Sequence, residues 1–323
     1  MRVALLGLGE QMTDNLLPTV IQLPQVDIVA ICDINSDKLA LYHKKLPHAD
    51  MFLDINDLFA NGEFDVVVVS SYPIVHDKAL QLAIQYNKHI FVEKPPTTSL
   101  AKLEAILSRL ESSSIKTGVG FNFNFAEVVR KLDDCLLSGE LGEVVSIRVN
   151  HFASKPREFS FWGMYSLYQS FLLAQAIHPI AFVLKYLDTL NLDKVTHRKV
   201  LSDNSIQLEI GLVGENRGIP VLASIFTNNM APHFDSSIEF ITSKNCIIHL
   251  NSLWSLSVSV SSEQALLGKR SRFEWSPSPV GNGLIRSGYY HELGEFFESI
   301  RNNIDFKENL LFAKKVYQVM DQL

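Results

Sequence analysis

The stretch Val3-Ala4-Leu5-Leu6-Gly7-Leu8-Gly9 decides the fold that we predict for this chain of 323 residues. It is a short apolar run that ends in two glycines and precedes a helix pattern over residues 14–22. In a dinucleotide-binding fold, Gly7 permits the tight turn after the first strand, and Gly9 lets the backbone approach a pyrophosphate at the helix N-terminus. Met12 stands where that fingerprint has a third small residue, so a tight turn without a ligand is the alternative.

Four further apolar runs follow at helix-length intervals, over residues 26–32, 66–69, 89–92 and 116–120. Their β-branched residues and lack of alternation are typical of strands that are buried on both faces of a parallel sheet. Amphipathic helix patterns lie between them, and Ser99 is the predicted N-cap of the last one. This alternation predicts an α/β fold with a doubly wound Rossmann sheet over residues 1–121.

The pattern changes after residue 121. A long apolar helix pattern covers residues 166–187, and Pro179 would kink or divide it. Five strand patterns then follow between residues 206 and 261 without intervening helices, which indicates antiparallel pairing. We therefore predict a second, α+β domain over residues 122–323 with a largely antiparallel open sheet. Two helix patterns end the chain, and whether they pack back toward the first domain is left open.

The composition disfavours several classes of protein. Lys and Arg total 29 against 35 Asp and Glu, and this net charge of −6 disfavours a nonspecific nucleic-acid binder. Three cysteines far apart in sequence suggest neither a disulfide framework nor a zinc site, and we expect no metal. The apolar helix pattern carries Gln175, His178 and Lys185, which favours a buried helix over a membrane span. We expect a cytoplasmic protein without nucleic-acid or membrane partners.

Asp33 ends the second apolar run, in Ala30-Ile31-Cys32-Asp33. A carboxylate at this place can accept hydrogen bonds from both ribose hydroxyls of an adenosine and would repel a 2′-phosphate, which favours NAD over NADP. The alternative is a turn or N-cap role before Asn35-Ser36.

The most specific stretch of the chain is His89-Ile90-Phe91-Val92-Glu93-Lys94-Pro95-Pro96. A strand would deliver Glu93 and Lys94 to the carboxyl edge of the sheet, where open α/β sheets bind ligands. The Lys94 ammonium would then lie beside the nicotinamide and the reacting hydroxyl. The alternative is a surface ion pair followed by a turn.

In this combination of motifs the chain resembles the Gfo/Idh/MocA family of NAD(P)-dependent oxidoreductases. The motifs that carry the resemblance are, in chain order, Gly7-Leu8-Gly9, Asp33, Tyr72-Pro73 with His76, Lys88-His89 leading into Glu93-Lys94-Pro95, Gly120-Phe121-Asn122, Ser138-Gly139-Glu140-Leu141-Gly142, Ile177-His178 and Tyr290-His291-Glu292. The resemblance implies a Rossmann domain and an α+β domain whose open sheet forms a homo-oligomer interface. It also implies reversible oxidation of a sugar, cyclitol or nucleotide-sugar hydroxyl.

The resemblance further implies which residues form the site. Catalysis would fall to Lys94 and His178. The cofactor set would comprise Gly7, Gly9, Glu10, Gln11, Asp33, Ser70, Tyr72, Pro73, His76, Glu93 and Lys94. For the substrate, Asn122 matches a family position near the site, and Tyr165, Tyr168 and Gln175 are further candidates if the substrate is bound differently than in the family.

The chain departs from the family pattern in the second domain. The family has Asp, three residues and then His on one helix face, whereas here Ala174 precedes His178, and a further family Asp is Ala181. Imidazole suits a base that takes a hydroxyl proton. Either His178 and Lys94 suffice for catalysis, or the protein binds its ligands and turns over slowly or not at all. A core histidine is the alternative for His178.

The function that we predict is an NAD-preferring oxidoreductase. It would transfer a hydride between nicotinamide and a secondary alcohol or ketone of a small sugar-like substrate. One alternative is a catalytically weak, dinucleotide-dependent sensor on the same scaffold. Another is a glycosidase-type hydrolase that uses NAD transiently.

Overall fold

The computed structural model describes residues 1–158, 166–200, 204–261 and 270–323. Contacts divide the chain into two compact units. The first unit comprises Met1–Phe121 and Tyr289–Lys314, and the second comprises Asn122–Gly288 and Lys315–Leu323. A segment from near the end of the chain therefore belongs to the first unit, an arrangement that the predicted boundaries left open.

The strands are β1 (Arg2–Leu6), β2 (Asp27–Cys32), β3 (Asp50–Phe52), β4 (Val66–Val69), β5 (His89–Glu93), β6 (Thr117–Gly120), β7 (Val144–Phe152), β8 (Thr189–Val200), β9 (Ile206–Asn216), β10 (Ile219–Asn228), β11 (Asp235–Thr242), β12 (Ile247–Asn251), β13 (Ser255–Ser261) and β14 (Arg270–Trp275). The α-helices are α1 (Leu17–Gln22), α2 (Ser36–His43), α3 (Ile55–Asn61), α4 (Pro73–Gln85), α5 (Leu100–Leu110), α6 (Glu127–Leu137), α7 (Leu167–Phe171), α8 (Ile177–Lys185), α9 (Gly283–Arg286), α10 (Tyr289–Arg301) and α11 (Leu310–Met320).

The sheet of the first unit has six parallel strands in the order β3-β2-β1-β4-β5-β6. The chain starts in the middle and winds outward to both edges, as in a Rossmann fold. All four valines of β4 are fully buried, as the unbroken apolar run predicted. The α/β fold class is thus confirmed, although the three-residue edge strand β3 is too short to have given a strand signal.

Helix starts in the first unit follow their caps. The side chain of Ser99 accepts a hydrogen bond from the Lys102 N–H, which confirms it as the N-cap of α5. Asn35 and Asp54 cap α2 and α3 in the same way. These short polar side chains satisfy N–H groups that have no partner inside the helix.

The sheet of the second unit has eight strands in the order β14-β13-β12-β11-β7-β10-β9-β8. Only the β7–β10 pair is parallel among the described pairings, so the sheet is largely antiparallel, as predicted. Burial alternates along the strands. On β7 this places Ile147, Val149 and His151 on the buried face.

The long apolar helix predicted in the second unit is continuous over Leu167–Lys185, and Pro179 does not divide it. It consists of α7, a π-helical turn over Leu172–Ala176, and α8. By length and composition, Leu167–Lys185 resembles a membrane span, but 78% of its most apolar window is buried inside the protein. This burial is that of a core helix.

Candidate functional site

The glycine turn after β1 fits only a glycine at its first position. Gly7 has φ +85°, and a Cβ there would collide with the Ser70 carbonyl oxygen. The Gly7 N–H donates to the Cys32 carbonyl at 2.8 Å, and the Ser70 N–H donates to the Leu6 carbonyl at 2.9 Å. The turn is therefore held against the ends of β2 and β4, at the carboxyl edge of the sheet.

Gly9 leaves room for a ligand beside the backbone. A Cβ built on Gly9 meets no atom within 4 Å, and the helix begins directly after it. The first N–H groups of a helix lack intrahelical partners and bind phosphate well. This open backbone fits the pyrophosphate of a dinucleotide. The Glu10 side chain that follows is exposed to solvent.

Met12 is accommodated by a π-helical turn. It is fully buried and begins the turn Met12–Leu16, which leads into Pro18 near the start of α1. A proline lacks an N–H and crowds the carbonyl four residues before it, here that of Asp14. We attribute the wider turn to Pro18, because π-helical geometry moves that carbonyl away from the ring.

Asp33 holds the turn and keeps acceptor capacity for a ligand. Its Oδ2 accepts from the Leu8 N–H at 2.6 Å, and its Oδ1 accepts from the Asn35 N–H at 2.8 Å. A carboxylate has about four lone-pair sites, so two bonds leave room for ribose hydroxyls. The turn role considered for Asp33 is therefore present and compatible with a ribose role.

His76 joins the loops after β4 and β5. Its Nε2 accepts from the Ser71 N–H at 2.9 Å, so its Nδ1 carries the proton and donates to the Pro95 carbonyl at 2.9 Å. Burial, opposed by the hydrogen bond to Pro95 and assisted by the Lys94 charge, lowers the pKa of His76 to about 4. His76 is thus a neutral connector whose ring nitrogens both bind backbone. Nearby, Ser70 and Pro73 are buried and Tyr72 is exposed.

Glu93 and Lys94 form a partly buried pair at the end of β5. The Glu93 Oε1 accepts from Gln11 Nε2 at 2.7 Å, and its Oε2 accepts from the Lys94 N–H at 3.2 Å. Burial raises the pKa of Glu93 and lowers the pKa of Lys94, while the attraction between their charges opposes both shifts. Perturbed groups of this kind are typical of reaction sites.

The first turn of α10 also reaches this edge, which the sequence did not lead us to expect. Tyr289 Oη accepts from Gln11 Nε2 at 3.1 Å. The Glu292 Oε1 accepts from the Phe121 N–H at 2.5 Å, and burial raises the pKa of Glu292 well above its usual range. The motif Tyr290-His291-Glu292 was the available signal, but nothing in it pointed to the end of β5.

In the second unit, His178 lies in a cluster of rings. Its ring centroid is 4.8 Å from that of Phe123 and 5.8 Å from that of His151, and the two imidazoles are nearly parallel at 28°. Phe234 stacks on Phe123 at 5.2 Å. Among the described residues that line the adjoining cavity, none is Asp, Glu, Lys or Arg. Aromatic and imidazole rings therefore form the surroundings of His178.

His151 belongs to the same ring cluster, and the sequence did not lead us to expect it there. It is 3% exposed and its Nε2 lies 3.2 Å from Gln175 Oε1, so Nε2 carries the proton when that oxygen accepts. Gln175 lies in the π-helical turn, and Pro179 follows four residues later. The available signal was the alternation on β7, which puts His151 in line with Ile147 and Val149.

The other substrate candidates lie apart from this cluster or have protein partners. Asn122 donates through Nδ2 to the Ser287 carbonyl at 2.8 Å. The Tyr168 hydroxyl donates to the Leu323 carbonyl at 3.3 Å. Tyr165 lies outside the described residues. In the part of the chain that the structure describes, no group of three or more His, Cys, Asp or Glu side chains could hold a metal ion.

Comparison with known proteins identifies the family. The crystal structure of a dehydrogenase from Chromobacterium violaceum superimposes with a TM-score of 0.91 at 30% identity, covering 100% of this chain and 94% of that one. A family described as an oxidoreductase family with an NAD-binding Rossmann fold, Gfo/Idh/MocA, matches residues 1–121. The chain belongs to the Gfo/Idh/MocA oxidoreductase family.

Two further relatives show how far the likeness extends. Myo-inositol 2-dehydrogenase of Thermotoga maritima is 25% identical over 149 residues, which are 46% of this chain and 44% of that protein. The match thus spans less than half the length of that protein. KijD10, a 3-ketoreductase from Actinomadura kijaniata in complex with NADP, shares the fold with a TM-score of 0.76 at 16% identity, covering 100% of this chain and 96% of that one.

Proposed function

We propose that the protein is an NAD-preferring oxidoreductase that transfers a hydride between nicotinamide and a secondary alcohol or ketone of a sugar, cyclitol or nucleotide sugar. The observation that carries this proposal is the Glu93–Lys94 pair at the same sheet edge as the glycine turn and Asp33. A dinucleotide bound at that edge supplies the hydride acceptor, and the chain supplies orientation and electrostatics.

The preference for NAD rests on Asp33, and an apolar rim beside it suits the adenine that NAD and NADP share. A 2′-phosphate would meet the Asp33 carboxylate, whose oxygens already accept two N–H bonds. The exposed residues Ile34, Leu53 and Tyr72 follow strands β2, β3 and β4. Large apolar side chains in solvent at a ligand edge suit an adenine base, because a flat ring can cover them.

Lys94 would act on the oxygen of the reacting carbon. A half-buried ammonium stabilises negative charge that develops there, and it is more effective in a site of low dielectric than in water. Burial already lowers the pKa of Lys94, which would let its amine relay the single hydroxyl proton. His178 would take the hydroxyl proton in the direction of oxidation and return it in reduction.

The replacement of the family Asp by Ala174 favours a second candidate, a binding protein with little or no turnover. Ala174 and Ala181 are both buried and carry no acid function. In this candidate the same edge of the first unit binds a dinucleotide, and the second unit senses a ligand without proton transfer.

Turnover of NAD with a panel of alcohols tests the two candidates. The panel contains myo-inositol, glucose 6-phosphate, a nucleotide sugar and an aryl glycoside. Formation of NADH with any of the alcohols supports the oxidoreductase. Binding of NAD in calorimetry without turnover of any alcohol supports the sensor. Cleavage of the glycoside without net NADH contradicts both and supports the hydrolase.

We also propose a homo-oligomer that forms through the open sheet of the second unit. The exposed residues Leu222, Ile241 and Ile247 lie on strands β10, β11 and β12. Such apolar side chains on a sheet face suit a second copy of the same face. Light scattering of the purified protein tests this, and a monomer over the micromolar range would contradict it.

A further inference from the structure

The first turn of α10 contacts the first unit at two points near the carboxyl edge of its sheet. Tyr289 and Glu292 lie three residues apart, so they share one helix face. Tyr289 Oη receives a hydrogen bond from Gln11 at 3.1 Å, and Glu292 Oε1 receives one from the Phe121 N–H at 2.5 Å. A segment near the end of the chain thereby contacts the helix after β1 and the residue after β6.

Gln11 is held so that its amide nitrogen faces Glu93. Its Oε1 accepts from Asn15 Nδ2 at 3.0 Å, which sets the orientation of the carboxamide. The two hydrogens of Nε2 then serve two acceptors, Glu93 Oε1 at 2.7 Å and Tyr289 Oη at 3.1 Å. Tyr289 therefore stabilises the rotamer in which Gln11 donates to Glu93.

The Glu93 carboxylate has little freedom to move. A Cβ added to Gly120 would lie 2.9 Å from Glu93 Oε2, so the strand leaves room for the carboxylate only because residue 120 is glycine. The same oxygen accepts from the Lys94 N–H at 3.2 Å. The carboxylate is thus fixed by a side chain on one oxygen and by backbone on the other.

We propose that Gln11 and Tyr289 are positioning residues that hold the Glu93 carboxylate as the counter-charge of Lys94. Gln11 stabilises the ionised carboxylate by donating to it, and Tyr289 keeps Gln11 in place. This inference rests on the proposed function, because it concerns the lysine to which that function assigns proton handling.

Among the described residues, the other titratable groups that interact with the pair are His76 on α4 and Tyr289 and Glu292 on α10, and Glu308 before α11 interacts with Glu292. Burial keeps His76 neutral at physiological pH, with a pKa of about 4. Burial and the charges of Glu93 and Glu308 raise the pKa of Glu292, which favours its uncharged form. The Glu93 carboxylate is therefore the negative charge with the largest effect on the pKa of Lys94. Loss of a hydrogen bond that stabilises this carboxylate should shift the titration of Lys94.

Competitive acetylation measures the titration midpoint of Lys94 in the absence of substrate and cofactor. Acetic anhydride reacts only with uncharged amines, so the yield at Lys94 against pH, measured by mass spectrometry of the peptide, gives the midpoint of its titration. The exposed Lys102 in the same digest serves as the reference for a global change. Tyr290→Phe is the matched control, since it removes the same hydroxyl one residue further along.

The expected midpoints fall in a fixed order. Glu93→Gln removes the counter-charge and lowers the Lys94 midpoint most. Gln11→Leu lowers it less, because only a donor to Glu93 is lost. Tyr289→Phe lowers it by about half a pH unit, the effect of weakening one hydrogen bond. Tyr290→Phe leaves it unchanged, and the Lys102 profile is the same in every variant.

An unchanged Lys94 midpoint in Tyr289→Phe, with Glu93→Gln shifted, overturns the role of Tyr289. Should Gln11→Leu fail to fold, Tyr289→Phe still decides, because it retains the ring. Failure of the proposed function is distinguishable from failure of this inference. If Lys94→Ala keeps full NAD turnover, the proposed function is wrong whatever the acetylation midpoints are.

Discussion

Each unit contains a helix with a π-helical turn just before a proline, and the two turns lie beside different kinds of side chain. Met12–Leu16 precedes Pro18 in the first unit, and Leu172–Ala176 precedes Pro179 in the second. In both, the carbonyl four residues before the proline lies inside the wide turn, which explains why the helix continues without a break.

A glutamine at each turn binds a buried titratable side chain from a nearby strand. Gln11 donates to Glu93 at 2.7 Å, and Gln175 Oε1 lies 3.2 Å from His151. The surroundings differ. The Gln11 amide and the Lys94 N–H bind Glu93, whereas aromatic rings lie around His151 and His178. The surroundings of Glu93 therefore offer hydrogen-bond donors to a carboxylate, and those of the two histidines offer ring contacts.

The largest expected effect tests whether both regions take part in the chemistry. We expect Lys94→Ala and His178→Ala each to reduce hydride transfer at least ~100-fold, the lower end for a positioned acid–base group. Steady-state rates of NADH formation measure this. The controls are Lys102→Ala and His48→Ala, which remove exposed side chains of the same types. A loss only in Lys94→Ala would confine the chemistry to the first unit.

The next effect tests the buried imidazole of the first unit. The pKa of His76 is lowered from 6.5 to about 4, so the unfolded chain binds a proton at a higher pH than the folded one. Stability from this residue is complete above pH 6.5 and is lost as pH falls toward 4, by about 3 kcal/mol. Urea unfolding of the protein and of His76→Gln between pH 7 and 4.5 measures the difference.

In that experiment the advantage of the native protein over His76→Gln should shrink steadily toward acid pH. The exposed His48, replaced by Gln, provides the control, and its effect should not change in the same way. If the difference in free energy of unfolding between the native protein and His76→Gln does not change with pH, burial does not keep His76 neutral. The hydrogen bonds of His76 to Ser71 and Pro95 would then need a different protonation state.

A smaller effect is expected for the cofactor preference of the first unit. Asp33→Asn keeps the shape and an acceptor for the Leu8 N–H but removes the negative charge. We expect the preference for NAD over NADP to fall about tenfold, the weight of one charge-assisted contact. Calorimetry with both dinucleotides measures the ratio, and an unchanged ratio would contradict the ribose role of Asp33.

The smallest effect compares the two glutamines. Gln175→Ala removes one hydrogen bond to His151 and should lower the free energy of unfolding by about 1 kcal/mol. Gln11→Leu should cost more, because its partner Glu93 is a carboxylate. Denaturant unfolding of both variants measures this. Equal losses in free energy of unfolding for the two variants would contradict the inference that the hydrogen bond to the Glu93 carboxylate is the stronger one.

Much of the first unit could be predicted because its signals are local. The apolar runs, the glycine turn and the Ser99 cap each follow from a few neighbouring residues. The way in which the helix accommodates the buried Met12 could not be predicted from neighbouring residues. It depends on a π-helical turn that we attribute to Pro18, six residues later. The contribution of α10 was also missed, because Tyr289 meets Gln11 across 278 positions of sequence.

In the second unit, too, contacts between distant segments could not be predicted from the sequence. The buried face of β7 could be inferred from alternation, but nothing in the alternation tells which helix lies against it. His151 was missed for that reason, and the Asn122 amide proved to bind the Ser287 carbonyl. The convergence of Lys94 and His178 on one substrate stays a prediction.

By itself, the sequence determined the fold class, the family, the glycine turn and the candidate lysine and histidine, because each depends on residue types at short spacing. Only the tertiary structure decided which side chains complete the surroundings of those residues. Gln11, Tyr289 and His151 acquire their roles from hydrogen bonds and ring contacts between distant segments. Such contacts arise when elements pack, and no local pattern encodes the partner across the chain.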